Sequence, residues 1–81
     1  MVKELATLQE YQEAIKGTCV IDFTATWCPP CQMIGPKFVA LAESGDWDGI
    51  EFYKLDVDAN KDAAQAAGIE AMPTFLFYKD G

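Results

Sequence analysis

The stretch Trp27-Cys28-Pro29-Pro30-Cys31 decides how this chain folds and what chemistry it can carry. A mostly apolar run that predicts a strand comes before it, and a pattern typical of an amphipathic helix follows it. Two cysteines three positions apart at the start of a helix are neighbours, with Cβ atoms roughly 5 to 6 Å apart, so a small adjustment brings their sulfurs to bonding distance. In a chain of alternating strands and helices, this spacing indicates a pair that opens and closes a disulfide.

The sequence on both sides of this stretch predicts such an alternation. Thr7 and Glu10 match the capping box that begins a helix, and Gly17 is predicted to end that helix. Pro36 is predicted to kink the second helix, and Gly68 to cap the third. The helices are predicted after Thr7, over 29–43 and over 60–67, and the strands over 2–5, 19–25, 50–56 and 74–78.

Strands that alternate with helices imply right-handed crossovers and an α/β fold with a mainly parallel sheet and helices on both faces. The chain has 81 residues, of which 51% are apolar and 23% charged, so it has the length and composition of one globular domain over residues 1–81.

Charge and hydropathy exclude several classes of partner. Six lysines, no arginine and thirteen acids give a net charge of −7, which disfavours nucleic acid and anionic membrane surfaces. No apolar stretch approaches the roughly 20 residues of a membrane span. The first seven residues lack the apolar core of a secretory signal, so we expect a cytoplasmic protein. Three cysteines argue for at most one working pair rather than for a disulfide scaffold.

Three motifs closely resemble the thioredoxin family: residues 22–36 around the two cysteines, Met72-Pro73-Thr74, and 77–81. The resemblance implies a thioredoxin fold truncated at the C-terminus, with about four strands, one of them antiparallel, and three helices on both faces of the sheet. The family's final strand and helix have no counterpart in the sequence, so we expect either a natural short form or a fragment of a longer thioredoxin. Trp-Cys-Pro-Pro-Cys also resembles tryparedoxins and nucleoredoxins, but the flanking residues favour thioredoxin.

The position of Cys28 just before the first helical turn places its sulfur at the positive end of the helix dipole, where a thiolate is favoured. Cys28 is therefore the predicted nucleophile toward a partner's disulfide, and Cys31 the thiol that resolves the mixed disulfide. The resemblance implies a redox-active disulfide and no bound cofactor. Two alternatives stay open: a pair of buried core thiols, and a metal or iron–sulfur site shared by two chains, since one chain has too few ligands for zinc.

Pro29 departs from the commonest family pattern, which has glycine at this position. Neither Pro29 nor Pro30 has a backbone N–H, so neither can donate a hydrogen bond to the Cys28 thiolate. A hydrogen bond to a charged group contributes about 1.5 to 3 kcal/mol at most. We therefore expect the Cys28 thiol to have a higher pKa than in a Pro29→Gly variant.

Asp22 interrupts an apolar strand, and its sequence context alone fits a solvated acid at the strand edge equally well. The resemblance implies instead that Asp22 lies buried beneath the cysteines, where it assists proton transfer at Cys31 and where burial raises its pKa. Lys54 matches the lysine that accompanies this acid in the family, although without the resemblance it is predicted to be an ordinary surface charge.

The resemblance also implies a cis peptide bond before Pro73 and an apolar rim at which partner proteins dock. Taken singly, each rim residue is more typical of a core position. The residues assigned to substrate binding are Trp27, Pro29, Pro30, Gly68, Ile69, Met72 and Pro73.

Cys19 and the segment 56–60 are predicted to have structural roles. Cys19 is predicted to be a small buried apolar residue. The segment 56–60 resembles the start of a calcium loop, but Lys61 stands where the loop needs glycine and Ala67 where it needs glutamate, so calcium binding is excluded.

The sequence therefore predicts a thiol–disulfide oxidoreductase that reduces protein disulfides and, as the resemblance implies, is re-reduced by a flavin-dependent thioredoxin reductase. The alternative is a truncated thioredoxin that acts as a binding or signalling module with little turnover. The last predicted strand, 74–78, is apolar on both faces and is predicted to form an open sheet edge, so a homodimer through that strand is a further hypothesis.

Overall fold

The computed structural model describes residues 2–81, in which strands and helices alternate from end to end. The predicted order of elements is confirmed, and apart from the first helix the predicted ends differ from the observed ones by at most one residue. The strands are β1 (Val2–Glu4), β2 (Thr18–Thr24), β3 (Glu51–Asp56) and β4 (Thr74–Lys79), and the helices are α1 (Leu8–Ala14), α2 (Pro29–Glu43) and α3 (Lys61–Ala67).

Helix α1 begins with the predicted capping box but ends earlier than predicted. The Thr7 hydroxyl accepts from the Glu10 amide at 3.1 Å, and the Glu10 carboxylate accepts from the Thr7 amide at 3.1 Å. The last helical residue is Ala14, so the prediction that Gly17 ends the helix is wrong. The Gly17 amide instead donates to the carbonyl three residues back, which tightens the exit into a turn that needs no left-handed glycine.

The four strands form one sheet in the order β1-β3-β2-β4. Strand β3 pairs in parallel with both β1 and β2, whereas β4 runs antiparallel to β2. This arrangement confirms the predicted α/β fold with a mainly parallel sheet and one antiparallel strand.

Helices cover both faces of the sheet. On one face, α1 and α3 enclose the larger core, in which Ile21, Phe23 and Leu55 are fully buried. On the other face, Phe38 of α2 packs against Val20 and Phe52 in a smaller core. Strands β2 and β3 lie in the middle of the sheet and run in parallel, so their carboxyl ends lie side by side just before α2 begins.

Strand β4 lies at one edge of the described sheet, as expected. Leu76 and Tyr78 pack against the larger core, and the Tyr78 hydroxyl lies 2.8 Å from that of Tyr11 on α1. Phe75 and Phe77 point to the opposite face, where Phe77 is 76% exposed. Within residues 2–81, no helix is long and apolar enough to cross a membrane.

Candidate active site

The two cysteines lie at the junction of β2 and α2 and form a disulfide, with their Cα atoms 5.2 Å apart. Cys28 is the N-cap of α2, in an extended backbone conformation, and its sulfur accepts a hydrogen bond from the Cys31 amide at 3.2 Å. Pro29 and Pro30 occupy the first two helical positions and have no amide hydrogen to offer. The expectation that Pro29→Gly would lower the pKa of the Cys28 thiol stays a prediction.

A small apolar cluster surrounds the disulfide. Ala25, Cys28 and Cys31 are buried together, and Val57 and Met72 pack against them from two other parts of the chain. The peptide bond that follows Met72 is cis, as the resemblance implied. The fold thus brings the loop before β4 against the cysteines, although more than forty residues separate them in sequence.

Trp27 lies at the surface beside the disulfide with 62% of its side chain exposed. Its indole N–H donates to the Asp58 carboxylate at 2.5 Å. Asp58 follows β3 in a turn that the Asp56 carboxylate stabilises by accepting from the amides of Asp58 and Ala59 at 2.9 and 3.2 Å. The aspartates that resemble a calcium loop therefore build a turn that orients Trp27, a role that their spacing alone did not indicate.

Asp22 is buried at 4% exposure, so its expected burial is confirmed and the solvated alternative is wrong, whereas its role in proton transfer stays a prediction. Asp22 and Cys31 line one cavity of about 280 Å³, together with Lys54 and Gln32. Among residues 2–81, the Asp22 Oδ1 atom has no hydrogen-bond partner. Burial raises the pKa of Asp22 to about 6, and the Lys54 ammonium partly offsets that rise.

Lys54 is the direct cross-strand neighbour of Asp22 in the β2–β3 pairing. Among the described residues it forms no ion pair with Asp22, and its side chain is exposed. A lysine in this position lowers the pKa of the carboxyl through space and leaves the carboxyl free to exchange protons.

The other predicted binding residues lie around these groups. Pro29 and Pro30 are exposed, whereas Met72 and Pro73 are half-buried. Gly68 caps α3 in the left-handed conformation that favours glycine, with φ of 76°.

Ile69 and Gln32 lie near this site, and only the contact of Gln32 lacks a counterpart among the predictions. Ile69, predicted as a rim residue, packs against the larger core. Gln32, immediately after Cys31, donates from its side-chain amide to the Ala25 carbonyl at 2.9 Å. The only sequence indication was its helical spacing, four residues after Cys28, which places both on one side of the first turns of α2.

The third cysteine is separate from this site. Cys19 is a free thiol with 1% exposure on β2, as predicted, and burial, with a smaller contribution from Glu51, raises its pKa. In the described part of the chain, no three His, Cys, Asp or Glu side chains gather as metal ligands would.

Comparison with known proteins agrees with this geometry. A sequence profile of the thioredoxin family matches residues 2–81. Thioredoxin from Geodia cydonium is 48% identical over 85 residues, a match that covers all of this chain and 78% of the relative. The crystal structure of Malassezia sympodialis thioredoxin is 44% identical with a TM-score of 0.94, covering 99% of this chain and 73% of that one. Mitochondrial thioredoxin 3 from Saccharomyces cerevisiae is 40% identical with a TM-score of 0.88, covering 99% and 76%.

Proposed function

The chain belongs to the thioredoxin family, and from that premise we propose roles for the residues around its disulfide. The protein is a thiol–disulfide oxidoreductase, and the Cys28–Cys31 pair is its redox-active centre. The observation that carries the division of roles is the asymmetry of the pair. Cys28 caps α2, whereas Cys31 lines the cavity that holds Asp22.

In the reduced protein, the Cys28 thiolate attacks one sulfur of a partner's disulfide and releases the other as a thiolate. The Cys31 thiol then loses its proton and attacks Cys28, which closes the Cys28–Cys31 disulfide and releases the partner's second thiolate. Two electrons pass from the dithiol to the partner, whose disulfide becomes two thiols. The positive end of α2 and the Cys31 amide favour negative charge at Cys28 in the first step.

Asp22 accepts the proton of Cys31 in the second step. Three observations support this role: both residues line the same cavity, Oδ1 of Asp22 has no hydrogen-bond partner among residues 2–81, and the pKa of about 6 is close to neutral pH. Lys54, the cross-strand neighbour, keeps enough of Asp22 ionised to act as a base.

Partner proteins dock on the exposed rim beside the disulfide, where Trp27 provides the largest apolar side chain. Met72 supplies a second contact because it reaches both the disulfide cluster and the surface. The remaining rim residues in this proposal are Pro29, Pro30, Gly68, Ile69 and Pro73.

Thioredoxins reduce protein disulfides and are themselves reduced by thioredoxin reductase, and we assign the same two partners to this chain. We place the activity in the cytoplasm, although one similar structure is described as mitochondrial. Cell fractionation decides between these compartments. We also treat residues 1–81 as one domain, because strands from both ends of the chain lie in one sheet.

Self-association is a second part of the proposal. Within the sheet that the structure describes, β4 pairs with β2 alone, and its Phe77 is mostly exposed. An edge strand with exposed aromatic side chains favours pairing with a second copy of the chain.

Insulin-disulfide reduction tests the proposed roles, with dithiothreitol as the first reductant and thioredoxin reductase with NADPH as the second. We expect the wild-type chain to accelerate both reactions, and Cys28→Ser and Cys31→Ser to lose that acceleration. Cys31→Ser should also trap a mixed disulfide between Cys28 and insulin. Cys19→Ala is the matched control, since it removes the one thiol outside the pair.

Acceleration that survives in Cys28→Ser would refute Cys28 as the nucleophile. Acceleration with dithiothreitol but not with the reductase would refute the assignment of the reductase as a partner and leave the chemistry intact. A wild-type chain that is inactive in both reactions would favour the binding module, which neither the structure nor the relatives support.

A further inference from the structure

We propose that Gln32 is a positioning residue for the Cys28 nucleophile, which it holds at the start of α2 through the Ala25 carbonyl. The proposal rests on the proposed function, because it takes Cys28 as the attacking thiol. The Gln32 side chain lies at the surface, but its amide donates inward to a carbonyl of a residue that is 1% exposed.

The Ala25 carbonyl joins two segments of the site. It accepts from the Cys28 amide at 3.3 Å and from the Gln32 side chain at 2.9 Å. The backbone N–H of Gln32 donates to the Cys28 carbonyl at 3.2 Å, as a regular bond of α2. Gln32 thus contacts both ends of the segment 25–28, at Cys28 through its backbone and at Ala25 through its side chain. Only the contact at Ala25 depends on the glutamine side chain, and it helps to set the direction in which the Cys28 side chain leaves the backbone.

That direction matters more here than at most helix starts. Because Pro29 and Pro30 have no amide hydrogen, the Cys31 amide is the backbone donor that reaches the Cys28 sulfur, at 3.2 Å. A single donor stabilises a thiolate only when the sulfur lies along its N–H direction. Loss of the Gln32 contact lets the segment 25–28 shift, and the thiolate then loses its one aligned donor.

Alkylation of the reduced protein tests the proposal, since the rate at each pH reports how much of Cys28 is thiolate. Gln32→Met keeps the length and helix propensity of the side chain but removes the amide. We expect the pH midpoint of the rate to rise and the rate at pH 7 to fall about two- to tenfold, the factor that corresponds to one hydrogen bond. Gln32→Glu should cause a larger fall, because its carboxylate cannot donate to the carbonyl and repels the thiolate.

Gln12→Met is the matched control, because it makes the same exchange on the exposed side of α1. We expect its rate profile to coincide with that of the wild-type chain. Circular dichroism of each reduced variant verifies folding, and Gln32→Leu, which also lacks the amide and adds no charge, gives the comparison if Gln32→Met does not fold.

A Gln32→Met profile that coincides with that of the wild-type chain would overturn the proposal, whatever Gln32→Glu shows, as would an equal shift in Gln12→Met. These outcomes are distinct from a failure of the proposed function. If the proposed function failed, Cys28→Ser would retain insulin reduction. If only the positioning role of Gln32 failed, Cys28→Ser would be inactive and the alkylation profile of Gln32→Met would coincide with that of the wild-type chain.

Discussion

Asp22 links the chemistry of the site to the stability of the fold. Its side chain is buried with one oxygen unpaired, and its pKa is raised to about 6. In an unfolded chain an aspartate titrates near pH 3.9. Between about pH 4 and 6 the folded chain therefore binds more protons at Asp22 than the unfolded chain. The free energy of unfolding falls as the pH rises through this interval and is then level.

Asp22→Asn removes this dependence because the amide does not ionise. We expect the stability of the variant relative to wild type to rise by about 2 kcal/mol between pH 4 and pH 7, since each pKa unit corresponds to about 1.4 kcal/mol. Denaturant unfolding of the oxidised proteins at pH 4 to 8 measures the difference. Asp46→Asn, in an exposed loop, is the control and should give a much smaller change. If the free energies of unfolding of Asp22→Asn and wild type changed with pH in parallel, the raised pKa of Asp22 would be contradicted.

Residues differ in how far the sequence alone predicts their roles. Cys28 and Cys31 were predictable because their spacing and the helix start are local features. Asp22 was not, since alternation along β2 gives the face of the sheet but not whether α2 covers it. The hydrogen bond from Trp27 to Asp58 could not be predicted from local sequence either, because a turn 31 residues away supplies the acceptor.

At the scale of elements, the two short helices, α1 and α3, begin with N-cap residues that differ in burial. Thr7 caps α1 through exposed hydrogen bonds within its own first turn. Asn60 caps α3 with 5% exposure, and its side chain accepts from Ala63 and donates to the Leu5 carbonyl at 3.1 Å. The capping box of α1 was fully predictable. The bond from Asn60 to Leu5, the residue after β1, was not, because it spans 55 residues.

Asn60→Ala should therefore destabilise the chain more than Thr7→Ala. The Asn60 change removes a cap and also leaves a buried carbonyl without its donor, so we expect a loss of about 2 to 3 kcal/mol. Thr7→Ala removes only an exposed cap and should cost about 1 kcal/mol. Denaturant unfolding of both variants at pH 7 makes the comparison. Equal losses would show that the Asn60 bond to Leu5 contributes nothing beyond the cap.

At the scale of the whole molecule, charge and exposed apolar surface have opposite effects. The net charge of −7 makes copies of the chain repel one another. The uncovered face beside β4 favours contact, because Phe77, Phe75 and Trp47 together border an apolar cavity of about 320 Å³. At 0.1 M salt, repulsion between exposed charges more than about 10 Å apart is largely screened, whereas apolar contact is left intact. The balance between the two effects should therefore shift with ionic strength.

We accordingly expect self-association that strengthens with salt and depends on Phe77. Light scattering at high micromolar concentration should give a mass near that of one chain at low salt and approach two chains at 0.5 M NaCl. Phe77→Lys should stay monomeric at both salt concentrations, since a charged side chain on an edge strand opposes pairing. Met33→Lys, at a position with 77% exposure on α2, is the matched control and should associate as the wild type does. A wild-type chain that is monomeric at both salt concentrations would refute self-association through β4. Equal association of the Phe77 and Met33 variants would place the contact elsewhere on the surface.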